Sequence, residues 1–223
     1  ELLLLIIPIM ISIYYKEAEV KAFVFTILIM FPIALALCKI KTNKNEMYAR
    51  EGFLTVGLAW IIISFVGALP FVFSGIIPSM VDAFFETVSG FTTTGASILT
   101  EIESLPNGIL FWRSFTHWIG GMGFLIFMLA FIPSLGNNSI HLLKAESPGP
   151  NPGKIVPRIK DTAKILYFIY FILTIIETLL LKIAGLSWFD SALHAVGTAG
   201  TGGFSNMNTS VAAFNNPALL QFL

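Results

Sequence analysis

Two stretches rich in threonine and glycine carry the residues best suited to chemistry in this chain of 223 residues. Glycine permits backbone dihedrals that are closed to other residues, and threonine adds hydroxyl oxygens. A dehydrated cation needs several oxygens at fixed spacing, and the backbone carbonyls of such strands can replace its water shell. The candidate ion-binding residues are Thr92, Thr93, Thr94 and Gly95 in the first stretch and Gly200, Thr201, Gly202 and Gly203 in the second.

The two stretches belong to an internal repeat with an offset of 108 residues. Residues 82–97 align with residues 190–205 without a gap, and five of these sixteen positions are identical. A single Thr/Gly stretch is usually an ordinary turn, whereas two aligned copies between apolar spans favour re-entrant pore loops. Asp82 and Asp190 fall where a short helix would begin, so we expect them to be its N-caps. The carboxyl end of that helix would direct its negative dipole end at the cation path.

The composition of the chain restricts its class. Hydrophobic residues make up 56% and charged residues 12%, against about 45–50% and about 25% in soluble domains. This excludes a water-soluble enzyme, the net charge of 0 excludes a nucleic-acid-binding protein, and the single cysteine excludes a disulfide scaffold. His117 and His194 lack metal-ligand spacing with cysteine or acidic residues, so no transition-metal site is predicted. We expect an all-α polytopic membrane protein that is not an enzyme.

Apolar runs of nearly 20 residues mark the elements that must position the two loops. Five spans are predicted, and a sixth would begin at Pro217. Because the chain starts at Glu1 and ends within an apolar run at Leu223, we expect it to be part of a longer protein. The five predicted spans are Leu2–Tyr15, Ala22–Cys38, Gly52–Phe73, Leu110–Pro133 and Ile165–Leu181.

Basic residues predict the orientation of these spans. Two basic segments alternate with two segments, Ser74–Asn107 and Gly185–Leu223, that contain no lysine or arginine. By the positive-inside rule the basic segments are cytoplasmic and both Thr/Gly loops open outward. The acidic residues of the outer segments could raise the local cation concentration or simply fill solvated loops. The basic residues concerned are Lys39, Lys41, Lys44, Arg50, Lys144, Lys154, Arg158, Lys160 and Lys164.

Arg113 is a charge about one turn into an apolar span, where charges are costly and usually face the protein interior. Glu86, in the preceding pore helix, is its natural partner, so we favour an Arg–Glu pair that supports the loop. Snorkelling of Arg113 to the interface and a direct role in the ion path are the alternatives. Gly120, Gly121 and Gly123 lie in the same span and are predicted to allow close helix packing or a bend.

The chain resembles the potassium-transporter superfamily that includes bacterial Trk and Ktr and plant HKT proteins, and it is most similar to the TrkH type. The resemblance implies four M1–pore loop–M2 repeats around a pseudo-fourfold pore, often preceded in Trk-type members by a helix pair. It is carried by the segments Asp82–Glu86, Thr92–Ala96, Trp112–Arg113, Trp118–Gly123, Ala145–Pro150, Pro157–Ile159 and Gly202–Ser205.

The resemblance also implies a division of the chain. Residues 1–40 would form the helix pair, residues 41–134 the first repeat, residues 135–157 a cytoplasmic linker, and residues 158–223 a second, truncated repeat. The chain would then hold about one and a half of four repeats. Gly95 and Gly203 match the family position tied to potassium selectivity. The second loop has Gly200 and Gly202 in place of threonines, which we interpret as greater flexibility.

The function implied is potassium uptake across the plasma membrane, the inner membrane of a bacterium, through a filter of backbone carbonyls. Asp82, Glu86, Arg113 and Asp190 would support that filter. Potassium would be the substrate, with no bound cofactor; lipid, a second copy and a cytosolic nucleotide-binding regulatory ring would be the partners, and nucleic acid would not. The alternatives are a secondary cation or solute transporter with broken helices, possibly sodium-coupled or sodium-conducting, and a non-conducting membrane scaffold.

Overall fold

A computed structural model describes residues 2–39, 49–131 and 159–214, and all regular elements within these ranges are helices. The predicted linker 135–157 and the predicted span start at Pro217 lie outside the described residues. The all-α prediction is confirmed for the described part of the chain. The helices are α1 (Ile6–Tyr14), α2 (Val20–Cys38), α3 (Ala49–Phe73), α4 (Met80–Phe91), α5 (Asn107–Phe131), α6 (Ile159–Ile183), α7 (Trp188–Ala199) and a 3-10 helix (Ser210–Phe214).

Three of the described helices are long and apolar enough to cross a membrane, and they lie in α2, α3 and α6. Their exposed faces carry large apolar side chains such as Leu28 and Ile176, as expected for helices in a lipid bilayer. Helix α5 has 25 residues, long enough to cross a bilayer core, and the span over Leu110–Pro133 stays a prediction. Helix α1 has nine residues, about 14 Å of helix, and the span over Leu2–Tyr15 stays a prediction.

The short helices α4 and α7 have 12 residues each, and their bounds differ by the repeat offset of 108 at both ends. The hydroxyl oxygens of Ser79 and Ser187 accept the backbone N–H groups of Asp82 and Asp190. The serines are therefore the N-caps, and the prediction that Asp82 and Asp190 hold this position is wrong. The physical reason is that each aspartate lies one turn later, where its charge favours the helix N-terminus without capping it.

Helix α5 contacts the short helix of each repeat. Helix α4 packs between α3 and α5, and α7 packs between α5 and α6. The core of the first repeat contains Phe71, Phe91 and Trp112, all almost completely buried. The indole N–H of Trp112 donates to the carbonyl of Gly67 in α3 at 3.0 Å, which satisfies the polar atom of this buried ring.

Candidate functional site

The segments that follow α4 and α7 have the same backbone course. The φ angle is positive at Thr93 (55°) and Gly95 (76°) in the first segment, and at Thr201 (57°) and Gly203 (84°) in the second. The residues directly before and between them have negative φ. A threonine in the left-handed region is uncommon, yet both copies have one at the aligned position. The repeat in the sequence is therefore a repeat in backbone conformation.

The amide groups of both segments point back to the helix that they follow. Three consecutive N–H groups donate to carbonyls in its last turn, at 2.8–3.0 Å in the first segment and 2.7–3.3 Å in the second. No hydrogen bond found among the described residues uses the carbonyls of residues 92–95 or 200–203. Since backbone polar groups need partners, these carbonyls are available to a ligand. The donors are Thr92, Thr93 and Thr94 after α4 and Gly200, Thr201 and Gly202 after α7.

Threonine hydroxyls tie the first segment to its helix. The Oγ1 atom of Thr92 donates to the carbonyl of Val88 at 2.7 Å and lies 2.8 Å from Oγ1 of Thr94. The second segment has glycines at both of these threonine positions. The second segment therefore keeps the backbone hydrogen bonds to its helix but lacks these hydroxyl contacts.

Glu86 holds the chain that leaves the first segment. Its buried carboxylate accepts the hydroxyl of Ser97 at 3.0 Å and the backbone N–H of Ile98 at 2.9 Å. Glu86 lies in the second turn of α4, so the segment must run back along the helix that precedes it. This reversal is the geometry of a re-entrant loop.

Arg113 connects the two segments. Its Nε lies 2.6 Å from Oε1 of Glu86, and the two side chains are 3% and 1% exposed. Its Nη1 donates to the carbonyl of Ser205 at 3.0 Å, and its guanidinium carbon lies 3.7 Å from the centre of the Phe204 ring. The pairing with Glu86 agrees with the expectation from sequence. The contacts with Ser205 and Phe204, in the second repeat, were not predicted.

Residues four apart on α5 lie on one face. The face of Trp112, Thr116 and Gly120 contacts the first repeat. The side chain of Thr116 lies against Gly90, and any side chain at position 120 would meet the carbonyl of Phe91. These glycines therefore permit the close approach of α5 and α4 that was expected at Gly120.

The adjacent face of α5, formed by Arg113, His117 and Gly121, contacts the second segment. The imidazole of His117 occupies the space that a side chain at Gly202 would need, and the backbone carbonyl of His117 blocks a side chain at Gly200. These two glycines are thus required by close packing. The interpretation that they provide flexibility is not needed to explain them.

Asp190 holds the chain that leaves the second segment. Its Oδ1 accepts the side-chain amide of Asn206 at 2.6 Å, and its Oδ2 accepts the hydroxyl of Ser187 at 2.6 Å. Asp190 lies in the first turn of α7, so this segment also runs back along its helix. The aligned Asp82 contributes its backbone N–H to the N-cap of α4.

Asn208 joins the two chains beyond the segments. Its side-chain oxygen accepts the N–H of Ile102 at 3.0 Å, and its own N–H donates to Glu103 at 3.1 Å. Its amide nitrogen lies 3.4 Å from a carboxylate oxygen of Glu101. The acidic residues of this region therefore bind the second repeat, in addition to any effect of their charge on cations.

The turn between α1 and α2 contacts both repeats at the same end of the bundle. The carboxylate of Glu17 accepts the N–H groups of Asn107 at 2.6 Å and Gly108 at 2.9 Å, which caps α5 with a negative charge. The ring of Tyr15 lies 5.7 Å from that of Phe189 in α7. Sequence analysis did not identify these contacts, because each joins residues far apart in the chain.

The two candidate segments lie side by side in the structure, and Gly95 of the first closely approaches the carbonyl of Gly202 in the second. Sequence reasoning missed His117, Phe204 and Ser205 as members of the site. The spacing of four between Arg113 and His117 was the available signal for a shared face. Within the described ranges, no group of three or more histidine, cysteine or acidic side chains could hold a metal ion.

Comparison with known proteins supports the architecture. The Trk system potassium uptake protein TrkH of Salmonella typhimurium is 42% identical over 223 residues, covering 96% of this chain and 45% of that protein. The protein of the same name from Escherichia coli K12 is 41% identical with the same coverage. The chain thus spans about half the length of these relatives.

The fold also matches a solved structure. The crystal structure of the potassium transporter TrkH from Vibrio parahaemolyticus superposes with a TM-score of 0.84 and 33% identity, covering 99% of this chain and 44% of that one. A family model described as TrkH, cation transport protein, matches residues 16–223. Since this match covers nearly the whole chain, the chain belongs to the TrkH cation transport protein family.

Proposed function

We propose that this chain supplies two of the four filter strands of a potassium uptake channel in the plasma membrane of a bacterium. The observation that carries the proposal is the matched pair of segments with alternating φ, bound N–H groups and available carbonyls. Carbonyl oxygens in such an arrangement replace the hydration shell of a potassium ion. Helices α4 and α7 end directly before the segments, so their negative dipole ends favour a cation there.

In this proposal the ion-binding residues are those of 92–95 and 200–203, and two further repeats complete the ring. Residues 1–40 form the helix pair, residues 41–134 the first repeat, residues 135–157 the linker and residues 158–223 the second repeat. The reversal of both segments along their helices supports re-entrant loops over the unwound spanning helices of a secondary transporter. The names of the relatives support potassium as the substrate.

The same proposal assigns supporting roles to four charged residues. Glu86 and Asp190 hold the chains that leave the filter, Arg113 neutralises Glu86, and Asp82 favours the start of α4. The complete transporter is proposed to pair as a homodimer and to be regulated by a cytosolic nucleotide-binding ring, as the family resemblance implies. No bound cofactor takes part in conduction.

The experiment that tests the function is potassium-limited growth of a host without its own uptake systems. The complete transporter should restore growth and carry potassium into liposomes without a sodium or proton gradient. Uptake that requires such a gradient would favour a secondary transporter. A complete protein that inserts correctly and carries no potassium would favour the non-conducting scaffold.

Orientation is tested separately with impermeant thiol reagents. Ser104 and Thr209 are exposed and follow the two filter segments, so cysteines there should react from outside. The native Cys38, exposed at the end of α2, is the matched control and should react only from the cytoplasm. A transporter with no other cysteines keeps the readout unambiguous. Labelling of positions 104 and 209 from the cytoplasm would reverse the proposed topology.

A further inference from the structure

We infer that the α5 face formed by Arg113 and His117 positions the second filter segment. Ion selectivity at the second repeat then depends on helix α5, which belongs to the first repeat. This inference rests on the proposed function and adds to it a pair of positioning residues that act across the repeat boundary. Four structural observations lead to it.

The second segment has the same three backbone hydrogen bonds to its helix as the first segment, but it has fewer side-chain anchors. It lacks the hydroxyls of Thr92 and Thr94, and His194 takes the place of the carboxylate of Glu86. The contact between Asp190 and Asn206 holds the chain only after the segment has ended. The side-chain support that Thr92 and Thr94 give the first segment therefore has to come, in the second segment, from outside its own repeat.

Arg113 bridges the two repeats with different nitrogen atoms of one rigid group. Nε binds Glu86 of the first repeat, while Nη1 binds the carbonyl of Ser205 in the second. A planar guanidinium can serve two such acceptors at fixed angles, whereas a lysine ammonium is a single point donor. Arg113 thus links the two loops through one rigid group.

Phe204 fills the space between the two α5 side chains. Its ring lies under the guanidinium of Arg113 and 4.0 Å from the imidazole of His117 in an edge-on arrangement, and the residue is 3% exposed. Cation–π and edge-to-face contacts of this kind are directional. The aligned residue of the first repeat, Ala96, has no comparable ring.

His117 acts on the second segment through its volume. It is completely buried, and neither ring nitrogen has a hydrogen-bond partner among the described residues. Its ring fills the space beside Gly202, whose carbonyl belongs to the second segment and touches Gly95 of the first. Displacement of this ring would therefore shift the carbonyl of Gly202 relative to Gly95.

The test uses the complete transporter in planar bilayers and measures the permeability ratio of potassium to sodium from reversal potentials. Arg113→Lys keeps a positive charge for Glu86 but cannot hold Ser205 at the same time. We expect this variant to lower the ratio about tenfold, the size of effect expected for one lost hydrogen bond to a charged group. Phe204→Leu should lower it in the same direction, and the double variant should fall short of the product of the two effects, because both residues act in one contact.

Ala96→Ser, at the exposed position aligned with Phe204, is the matched control and should keep the parent ratio. Permeability ratios are compared at equal amounts of inserted protein, so that a loss of folded protein is not mistaken for a loss of selectivity. If Arg113→Lys fails to insert, Phe204→Leu alone decides. A selective parent protein with unchanged ratios in both variants overturns this inference and leaves the proposed function intact, whereas a parent without selectivity overturns both.

Discussion

The two Thr/Gly segments have one backbone conformation but differ in the side chains that hold it. In the first, the hydroxyl group of Thr92 and the buried carboxylate of Glu86 tie the segment to helix α4, which precedes it. In the second, close packing of glycines against α5 replaces those polar ties. A repeat can thus keep its backbone conformation and its backbone hydrogen bonds while the side chains that support them change.

The largest expected difference between the repeats concerns their carboxylates. Glu86→Gln leaves Arg113 buried without a charged partner, which costs about 3–5 kcal/mol of stability. Asp190→Asn removes a half-buried acceptor and should cost about 1 kcal/mol. Thermal unfolding of the purified complete transporter measures both. Equal losses would show that the two carboxylates contribute equally to stability, which would contradict the expected difference between the repeats.

Gly202 and Thr94 occupy aligned positions in the two segments. Alanine at position 202 tests the packing against α5, and alanine at position 94 tests the support from the threonine hydroxyl. Gly202→Ala drives a methyl group into the His117 ring, an overpacking that costs about 1–3 kcal/mol. Thr94→Ala should cost less, because Thr94 is exposed. Unfolding midpoints of the two variants provide the measurement. Addition of His117→Ala should recover part of the loss in Gly202→Ala, and a failure to do so would remove His117 as the cause.

Gly95 and Ala96 are neighbours that should respond differently to serine. Gly95 has positive φ, and a side chain there would meet the carbonyl of Gly202. Gly95→Ser should therefore lower potassium selectivity about tenfold, for a change of about 1.4 kcal/mol in relative binding, while Ala96→Ser leaves it unchanged. Currents under potassium and sodium gradients measure the ratio.

Gly203 separates backbone strain from the contact between the segments, since it has positive φ but open space where a Cβ would lie. Gly203→Ser should suffer from backbone strain alone and change selectivity less than Gly95→Ser. A larger effect at Gly203 would show that conformational strain, rather than the contact between strands, decides the selectivity.

The smallest expected effect is that of the Thr92 hydroxyl. Thr92→Val removes its bonds to Val88 and Thr94 without changing side-chain shape, at a cost of about 0.5–1.5 kcal/mol. The unfolding midpoint should fall slightly and the selectivity should persist. A complete loss of selectivity would show that this hydroxyl oxygen itself binds the ion.

Much of the site could be predicted because it is local in the chain. The offset of 108 identified both segments, and the helices α4 and α7 follow that offset at both ends. Even here the N-caps were misassigned, since Ser79 and Ser187 lie outside the aligned sixteen residues. The pairing of Arg113 with Glu86 was predictable because a buried charge needs a partner and Glu86 is the acid of helix α4 that lies beyond its first turn.

The local properties of the chain could be predicted from its sequence: apolar spans, two short helices, and a glycine in the left-handed region after each of them. These follow from side-chain type and backbone sterics within a few residues. Tertiary packing determines which face of α5 meets the second repeat, and this contact explains why Gly200 and Gly202 are glycines. That contact joins residues about 85 positions apart, and its cause is the volume of the His117 ring, which a pattern of residue types along one strand does not reveal.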